Sequence, residues 1–394
     1  MKVKIISESA FTVEGHGPHT AFLENINVLK GIEGVEVLVN SLRGADVAHV
    51  HTVGPYSLFN LIYYKDRSVI TAHLVPESIV GSFILSKMWL SLFRKYLRFC
   101  YNKAGTVIAI SPEVERNLRS LGVKSRIAVL GNYVDRNHFK KDENLKHKLR
   151  NKYGISPDEF VVLGVGQVQP RKGVDSFCRV AEMLPDYRFV WVGGMPFSVA
   201  TEGYARMNRL MQGAPSNILF TGIIPYQEVN GFYNMGDVFF LPSYHENFPF
   251  VALEAASCNL PLVLRDIQEY RGFLDRYSLR ASDDRGFAEL IKNLHHDRSL
   301  YAQYADRSEA FARKHDSRRM VGELMAIYTS LAEQKNAKAP AYKNWLSVRN
   351  LNFSGQRVWV GGLQMEVRNL YREVSELYHR AKQKRGQLKM RRKN

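Results

Sequence analysis

The sequence has few cysteines and no long apolar run, and each absence argues against a class of protein. Only 3 of its 394 residues are cysteine. Cys100, Cys178 and Cys258 lie far apart and lack metal-ligand spacing, so we expect buried thiols in a reducing cytosol. No run of about 18 apolar residues occurs, and no membrane-spanning helix is expected. The N-terminal MKVKIIS lacks the apolar core of a signal peptide, so none is predicted.

The chain is also short of acidic residues, and their deficit is concentrated at one end. Asp and Glu number 38 against 55 Lys and Arg, which gives a formal net charge of +17. Residues 336–394 hold 14 basic and 3 acidic residues, or +11, and leave +6 for the rest. No Asp-x-Asp sequence occurs, so a bound divalent metal is not implied. The charge distribution predicts that 336–394 is a separate basic unit.

That unit begins with an Asn/Ala/Lys/Pro linker and continues with aromatic residues and a predicted amphipathic helix from about Leu363 to Lys384. A basic amphipathic segment is typical of attachment to an anionic membrane surface or to a partner. A helix packed on its own protein is the alternative. Nucleic acid is not expected, because the chain shows neither a recognised nucleic-acid-binding fold nor a base-stacking pattern.

Length and apolar content favour two hydrophobic cores, since one domain seldom exceeds about 250 to 300 residues. Short apolar strands alternate with helical segments, which is the order of a doubly wound parallel sheet. We therefore expect an α/β protein with domains at 1–150 and 151–335, followed by the basic tail 336–394. The strands predicted in the first domain are Val3–Ile6, Val35–Val39, Val47–His51, Val69–Ala72 and Arg126–Leu130.

The most informative segment is FFLPSYHENFPFVALEAASCNLP, at residues 239–261. A buried strand over Val238–Leu241 leads through a turn into a helix that begins near Pro249. Glu246 therefore precedes the helix, and Glu254 lies inside it. Free N–H groups at such a helix start favour a phosphate, while carboxylates suit sugar hydroxyls. A sugar nucleotide offers both, although two glutamates by themselves could equally be a solvated loop residue and an exposed helix residue.

A second strand-to-helix loop supplies positive charge. The strand Phe160–Gly166 is followed by QVQPRKGVD and a helix from about Ser176. Arg171 and Lys172, next to Gly173, could neutralise a diphosphate without a metal. Without the first motif, this loop would be read as ordinary solvated surface.

Two further features lie near the ends of the first-domain strands. GHGPHT contains Gly15 and Gly17 but lacks the third glycine of a dinucleotide fingerprint; its glycines can still let the backbone approach a phosphate or sugar. Four histidines, any one of which is more often structural, recur at these strand ends. They are His16, His19, His51 and His73.

Together these motifs resemble the family 4 glycosyltransferases, retaining enzymes of the two-domain GT-B fold that take a sugar from a nucleotide diphosphate. The resemblance covers roughly residues 1–335 and rests on the E-x7-E pair and the Lys172-Gly173 loop. One departure is Gly166-Gln167, where many members have Gly-Arg. The resemblance implies two Rossmann-like domains facing a cleft, a last helix within 305–333 that crosses back to the first domain, and no cofactor besides the UDP-sugar substrate. It implies Glu246 and His73 as catalytic residues, and as donor-binding residues Gly15, Gly17, Arg171, Lys172, Asn247, Phe248 and Glu254.

The segment 82–103 is rich in large apolar and basic residues and contains no acid. It is equally typical of an interfacial membrane helix and of a core helix. With HVHTVGPYSLF and TAHLVPESIVGSF, the chain looks like the bacterial glycolipid synthases of this family. That resemblance implies transfer of galactose or glucose to a membrane diacylglycerol or its monoglycosyl derivative, by a protein bound peripherally to the cytoplasmic leaflet. A polysaccharide or other acceptor is one alternative. A non-enzymatic basic scaffold is another, but it would be expected to lose the carboxylate pair.

Overall fold

The computed structural model of the chain describes residues 1–11, 17–41, 43–76, 86–195, 203–333, 357–360 and 363–366. Two six-stranded sheets organise these residues, and every strand pair within them is parallel. Such sheets need helices on both faces, which explains why most of their strands are buried. The predicted α/β class and GT-B architecture are confirmed.

The first sheet has the strand order β2-β1-β3-β4-β5-β6. Its strands are β1 Lys2–Ile6, β2 Glu36–Val39, β3 Val47–Val50, β4 Ser68–Ala72, β5 Thr106–Ala109 and β6 Arg126–Val129. Its helices are α1 Gly17–Lys30, α2 Pro55–Tyr64, α3 Ser86–Tyr101 and α4 Pro112–Ser120. Helix α1 begins inside the GHGPHT motif, at its second glycine.

The second sheet has the strand order β12-β11-β10-β7-β8-β9. Its strands are β7 Val161–Val165, β8 Arg188–Val192, β9 Ile218–Phe220, β10 Val238–Leu241, β11 Leu262–Arg265 and β12 Leu279–Ala281. The helices in this part of the chain are α5 Glu143–Lys152, α6 Val174–Met183, α7 Tyr204–Gln212, α8 Tyr226–Met235, α9 Phe250–Ser257, α10 Asp284–His296 and α11 Arg298–Lys314.

The chain passes between the two sheets twice, and the two crossings lie side by side. Val134 bonds to the backbone on both sides of Asp316, with its N–H to His315 O at 3.0 Å and its carbonyl to Ser317 N at 3.0 Å. The next helix, α12 Ser317–Glu333, buries Met320, Leu324, Tyr328 and Leu331 in the first-domain core. The predicted return of the last helix is therefore confirmed.

Helix α5 packs on α8 of the second sheet, and the expected limit at residue 150 falls inside it. The buried Arg150 guanidinium donates to Met235 O at 3.1 Å and pairs with Asp237 at 2.6 Å. A buried arginine needs such partners, so this contact ties the linker helix to the second sheet.

The C-terminal tail differs from the predicted helix where the structure describes it. Arg357–Val360 forms β13 and pairs antiparallel with β14, Leu363–Glu366. Gly361-Gly362 between two short β-prone segments is a strong hairpin signal, and it outweighs the helical spacing of the following residues. The prediction of helix is therefore wrong at Leu363–Glu366, and its remainder, 367–384, lies outside the described residues.

Candidate functional site

The carboxyl ends of β10 and β7 lie next to each other, because these strands are paired partners in the second sheet. Parallel strands bring the loops that follow them to the same sheet edge. The loop after β10 carries Glu246, and the loop after β7 carries Arg171 and Lys172. The two motifs found in the sequence therefore form one cluster.

Glu246 is held by both cations of the neighbouring loop. Its Oε1 lies 2.5 Å from Lys172 Nζ, and its Oε2 lies 3.7 Å from Arg171 Nη1. The Glu246 side chain is only 7% exposed. Burial by itself would raise the pKa of Glu246, but the two cations outweigh burial and lower it below the ordinary value. Glu246 is therefore a buried carboxylate that stays ionised beside two positive charges.

Backbone contacts fix the two loops against each other. Tyr244 N–H donates to Arg171 O at 2.9 Å, and Arg171 Nη1 donates to His245 O at 2.7 Å. Gly173 makes this approach possible, because its φ is +70° and a Cβ there would lie 2.2 Å from Pro242 O. Only glycine fits this position without displacing the loop.

Glu254 is buried and lies in a different environment from Glu246. Tyr233 donates its hydroxyl proton to Glu254 Oε2 at 2.5 Å. Burial is the main cause that raises the pKa of Glu254 to about 7, and the negative charge of Glu24 adds to it. The alternative of an exposed helix residue is therefore wrong for Glu254.

Glu24, on α1 of the first domain, was missed by the sequence reasoning. It accepts a hydrogen bond from Tyr226 of α8 at 2.8 Å, and burial raises its pKa to about 7. Its other oxygen, Oε2, is buried and has no hydrogen-bond partner in the described ranges. The sequence does show that Tyr226 and Tyr233 are seven positions apart, which places both on one face of α8. Nothing in the neighbouring sequence indicates that Tyr226 bonds to Glu24.

The first domain contributes a cluster of buried histidines. His51 and His73 follow β3 and β4, and His51 Nδ1 lies 3.2 Å from His73 Nε2. His49, which the sequence reasoning also missed, packs against His51 with ring centroids 4.4 Å apart and ring planes tilted by 33°. His19 lies farther out, with Nδ1 3.2 Å from Ser9 Oγ, and His16 lies outside the described residues. A small cavity between the domains is lined by this cluster together with Asn132 and Phe250.

Asn247 and Phe248 join the two domains. Asn247 Nδ2 donates to His73 O at 2.9 Å, so the loop that carries Glu246 is attached directly to His73. Phe248 is 6% exposed and stacks on Phe273 at 4.7 Å, while its carbonyl accepts from Asn132 at 3.1 Å. Its ring therefore lies in an aromatic cluster below the site.

Gly17 is the first residue of α1 and is exposed, whereas Gly15 lies outside the described residues. Within the described ranges, no three His, Cys, Asp or Glu side chains are grouped so as to hold a metal ion. All three cysteines are buried free thiols, as predicted.

Helix α3 covers most of the basic apolar segment and has two different faces. Leu97, Cys100 and Tyr101 are buried, while Leu92 and Phe99 are 61% and 46% exposed. The core-helix alternative therefore holds for one face, and the other face exposes apolar and basic side chains. Helix α2 of the same domain adds Phe59 and Ile62, which are 50% and 46% exposed. No helix in the described part of the chain has the length and apolar character needed to cross a bilayer.

The fold and this carboxylate–cation site define a glycosyltransferase of the GT-B class, and comparison with known proteins gives the family. The model for Glycosyltransferase Family 4 matches residues 12–138, and the model for Glycosyl transferases group 1 matches residues 146–311. The chain belongs to this group 1/family 4 of GT-B glycosyltransferases.

Two curated relatives and one solved structure illustrate the similarity. The chain is 33% identical to the alpha-galactosylglucosyldiacylglycerol synthase of Streptococcus pneumoniae over 70% of its own length and 75% of that protein. It is 26% identical to the processive diacylglycerol alpha-glucosyltransferase of Acholeplasma laidlawii over 75% of its length and 89% of that protein. Anabaena Alr3699/HepE, solved with UDP-glucose, superposes with a TM-score of 0.65 at 17% identity, over 86% of this chain and all of that one. At that identity the likeness shows the fold alone.

Proposed function

We propose that the protein is a retaining glycosyltransferase that moves galactose or glucose from a UDP-sugar to a membrane glycolipid, a diacylglycerol or its monoglycosyl derivative. The observation that carries this proposal is Glu246 held 2.5 Å from Lys172, with Arg171 beside them. The names of the two curated relatives support a diacylglycerol-based acceptor.

The donor diphosphate would take the place of Glu246 as the partner of Lys172 and Arg171. Two cations in one loop match the charge of a diphosphate, and Arg171 can bind it in a bidentate manner. The carboxylate released from Lys172 would then bind a hydroxyl of the donor sugar. In this proposal the ion pair keeps three charged side chains in position for the substrate.

In the reaction, the acceptor hydroxyl would attack the anomeric carbon of the donor sugar from the same face that the leaving group departs from. The bond between the anomeric carbon and the diphosphate oxygen breaks, the acceptor oxygen bonds to that carbon, and its proton passes to the departing diphosphate. Lys172 and Arg171 stabilise the charge that develops on the leaving group. With these two cations, no divalent metal would be needed to stabilise the leaving diphosphate. We therefore expect activity to persist in the presence of a chelator.

The remaining residues would bind the donor. Glu254 would accept hydrogen bonds from the ribose hydroxyls, and His73 would contact the transferred sugar. The backbone at Gly15 and Gly17 would approach the diphosphate or sugar. Asn247 and Phe248 would keep the Glu246 loop in place, through the bond to His73 O and through the aromatic cluster.

A lipid acceptor requires the protein to come to the membrane, because each methylene taken out of the bilayer costs about 0.8 kcal/mol. The exposed apolar residues of α2 and α3 lie with exposed Arg94, Lys95 and Arg98 on the first domain. Apolar side chains flanked by basic ones suit the headgroup region of an anionic membrane. We therefore propose peripheral association with the cytoplasmic leaflet.

The test uses purified full-length protein and vesicles containing diacylglycerol or monoglucosyldiacylglycerol. UDP-glucose and UDP-galactose are supplied separately, and the lipid product is identified by mass spectrometry. We expect one hexose to be added with retained anomeric configuration. Transfer only to a soluble or polysaccharide acceptor would replace the lipid assignment, and no transfer from either donor would contradict the proposed function.

A further inference from the structure

Two contacts hold the segment after β11 against the loop after β10. Glu269 Oε1 lies 2.6 Å from His245 Nδ1. Phe273, four residues later, stacks on Phe248, three residues further along the loop, with ring centroids 4.7 Å apart. Strands β10 and β11 are paired and parallel, so both stretches leave the same edge of the sheet. The residues between the two contacts are therefore held side by side.

Tyr270 and Glu246 are the residues that directly follow the first of these contacts. Tyr270 is fully buried. Burial, and then the charges of Glu246 and Glu269, raise the pKa of Tyr270 well above its ordinary value. The Arg171 guanidinium acts in the opposite direction. The Tyr270 hydroxyl therefore lies within the field of the carboxylate–cation site.

The Tyr270 hydroxyl is buried, yet it has no hydrogen-bond partner in the part of the chain that the structure describes. Buried hydroxyls are normally bonded, because an unsatisfied one costs the free energy of its lost hydration. Both oxygens of Glu246 meanwhile face cations, Lys172 at 2.5 Å and Arg171 at 3.7 Å. A fully buried donor therefore lies beside a carboxylate that is bound elsewhere.

The proposed reaction removes those partners from Glu246. The donor diphosphate would bind Lys172 and Arg171, and the released carboxylate would remain in a buried site. A buried carboxylate that loses its partners is strongly destabilising unless other donors replace them. A sugar hydroxyl supplies a donor for one oxygen, and the second oxygen needs another. The Tyr270 hydroxyl can supply it.

We propose that Tyr270 is a positioning residue whose hydroxyl binds Glu246 when the donor diphosphate takes its place at Lys172. The phenolic proton then satisfies one carboxylate oxygen, and the other oxygen is held toward the donor sugar. Tyr270 is fully buried, so it acts through Glu246 and does not touch the substrate. This inference rests on the proposed function, since the diphosphate is what displaces Glu246.

Tyr270→Phe tests the proposal in full-length protein with UDP as the probe. The hydroxyl has no partner to lose until UDP binds, so the thermal stability measured without UDP should stay the same or rise. Affinity for UDP, measured by calorimetry, should fall about 10-fold or more, the effect of one hydrogen bond to a charged group. Unchanged affinity for UDP would overturn the proposal.

Tyr301→Phe is the matched control in the same domain. The Tyr301 hydroxyl donates to Asp237 O at 3.0 Å, next to the start of β10 and so at the opposite end of that strand from Glu246. We expect this variant to lose thermal stability and to keep its affinity for UDP. An equal loss of stability in Tyr270→Phe would show that its hydroxyl is already bonded without UDP, and it would overturn the proposal.

A double variant tests whether Tyr270 acts through Glu246. Glu246→Gln keeps the shape of the side chain and removes its charge. In that background Tyr270→Phe should weaken UDP binding only about 2-fold, because a hydrogen bond to a neutral amide is weaker than one to a carboxylate. The same loss in both backgrounds would show that the hydroxyl does not act through Glu246, and the proposal would be wrong.

The lipid assay separates this inference from the proposed function. If wild type binds UDP and Tyr270→Phe weakens that binding, but neither transfers a hexose to vesicles, the proposed function fails and the inference stands. If wild type transfers hexose and Tyr270→Phe matches it in kcat and in affinity for UDP, the inference fails and the proposed function stands. With both correct, Tyr270→Phe should transfer hexose with kcat lowered about 10-fold and an unchanged KM for the lipid acceptor.

Discussion

At the scale of single residues, the two glutamates of the E-x7-E motif differ in what surrounds them. Glu246 lies between two cations, and its pKa is lowered, whereas Glu254 faces a tyrosine and a second carboxylate, and its pKa is raised to about 7. Environments that separate two carboxylates in this way are typical of groups with different tasks. The sequence shows their spacing but not this difference.

The two glutamates should respond differently to the same substitution. We expect Glu246→Gln to lower kcat about 100-fold or more, because it removes the charge beside the reacting sugar. Glu254→Gln should raise the KM for the UDP-sugar about 10-fold with little change in kcat. Steady-state kinetics with both variants checks this. Glu228→Gln, on an exposed part of α8, is the control. Equal, mild effects of the first two would contradict the assignment.

The Glu24–Glu254 pair should make stability depend on pH. Both carboxyls have an ordinary pKa of 4.5, raised to about 7 in the folded protein, chiefly by burial. The folded state therefore binds their protons more tightly. The contribution of the two protonated carboxyls to the free energy of unfolding is present below pH 4.5 and is lost as the pH rises to about 7. For Glu24→Gln, the free energy of unfolding relative to wild type should increase across this range, by at most about 3 kcal/mol. Urea titrations at several pH values measure the change, and a pH-independent difference would contradict it.

At the scale of elements, the turn at Gly173 holds the cationic loop against the end of β10. Gly173→Ala forces a Cβ into Pro242 O at a positive φ, so the loop must move and Lys172 must leave Glu246. We expect lower thermal stability and at least about 10-fold weaker UDP binding by calorimetry. Gly154→Ala is the matched control, because its φ is +64° with nothing within 4 Å of the added Cβ. Unchanged UDP affinity in Gly173→Ala would show that the loop does not bind the diphosphate.

The apolar surface of α2 and α3 should contribute to membrane binding. Phe59→Ser and Leu92→Ser each remove an exposed apolar side chain, whose burial in lipid is worth about 1.5 to 3 kcal/mol. We expect each substitution to weaken cosedimentation with phosphatidylglycerol vesicles about 10-fold or more. Ile223→Ser removes an equally exposed side chain from the second domain and should have no effect. An equal loss of vesicle binding in all three variants would mean that membrane binding is not specific to the apolar surface of α2 and α3.

At the scale of the whole molecule, the charge of the tail adds to the charge of the first domain. Deleting 336–394 removes +11 of the +17 charge, so vesicle binding should weaken and become less sensitive to salt. UDP affinity should be preserved, because the proposed donor residues all precede the deletion. Cosedimentation at low and high salt, with calorimetry on the same samples, measures both. A deletion that unfolds the protein, or full-length protein that ignores such vesicles at low salt, would contradict the attachment role.

Features that depend on neighbouring residues could be predicted from the amino-acid sequence. Alternating strands and helices, the predicted ends of the first-domain strands and the two strand-to-helix loops all follow from local apolar patterns and turn residues. Strand Val238–Leu241 was predicted with its exact bounds. The same patterns placed Glu246 before a helix and Glu254 inside it, while the resemblance to the family implied their roles.

Contacts between residues that are far apart in the sequence became visible only in the folded chain. Glu24 and Tyr226 are 202 positions apart, and His49 and Tyr328 are 279 apart, so no periodicity can relate them. The C-terminal strand pair shows the same limit, since antiparallel pairing decided a segment whose spacing also suits a helix. Local patterns predict a helix because its hydrogen bonds join residues four positions apart, and they predict a buried strand because its short apolar run is visible in the sequence. The site needed the folded chain, because the ionisation states of its carboxyl groups depend on burial and on charges supplied by both domains.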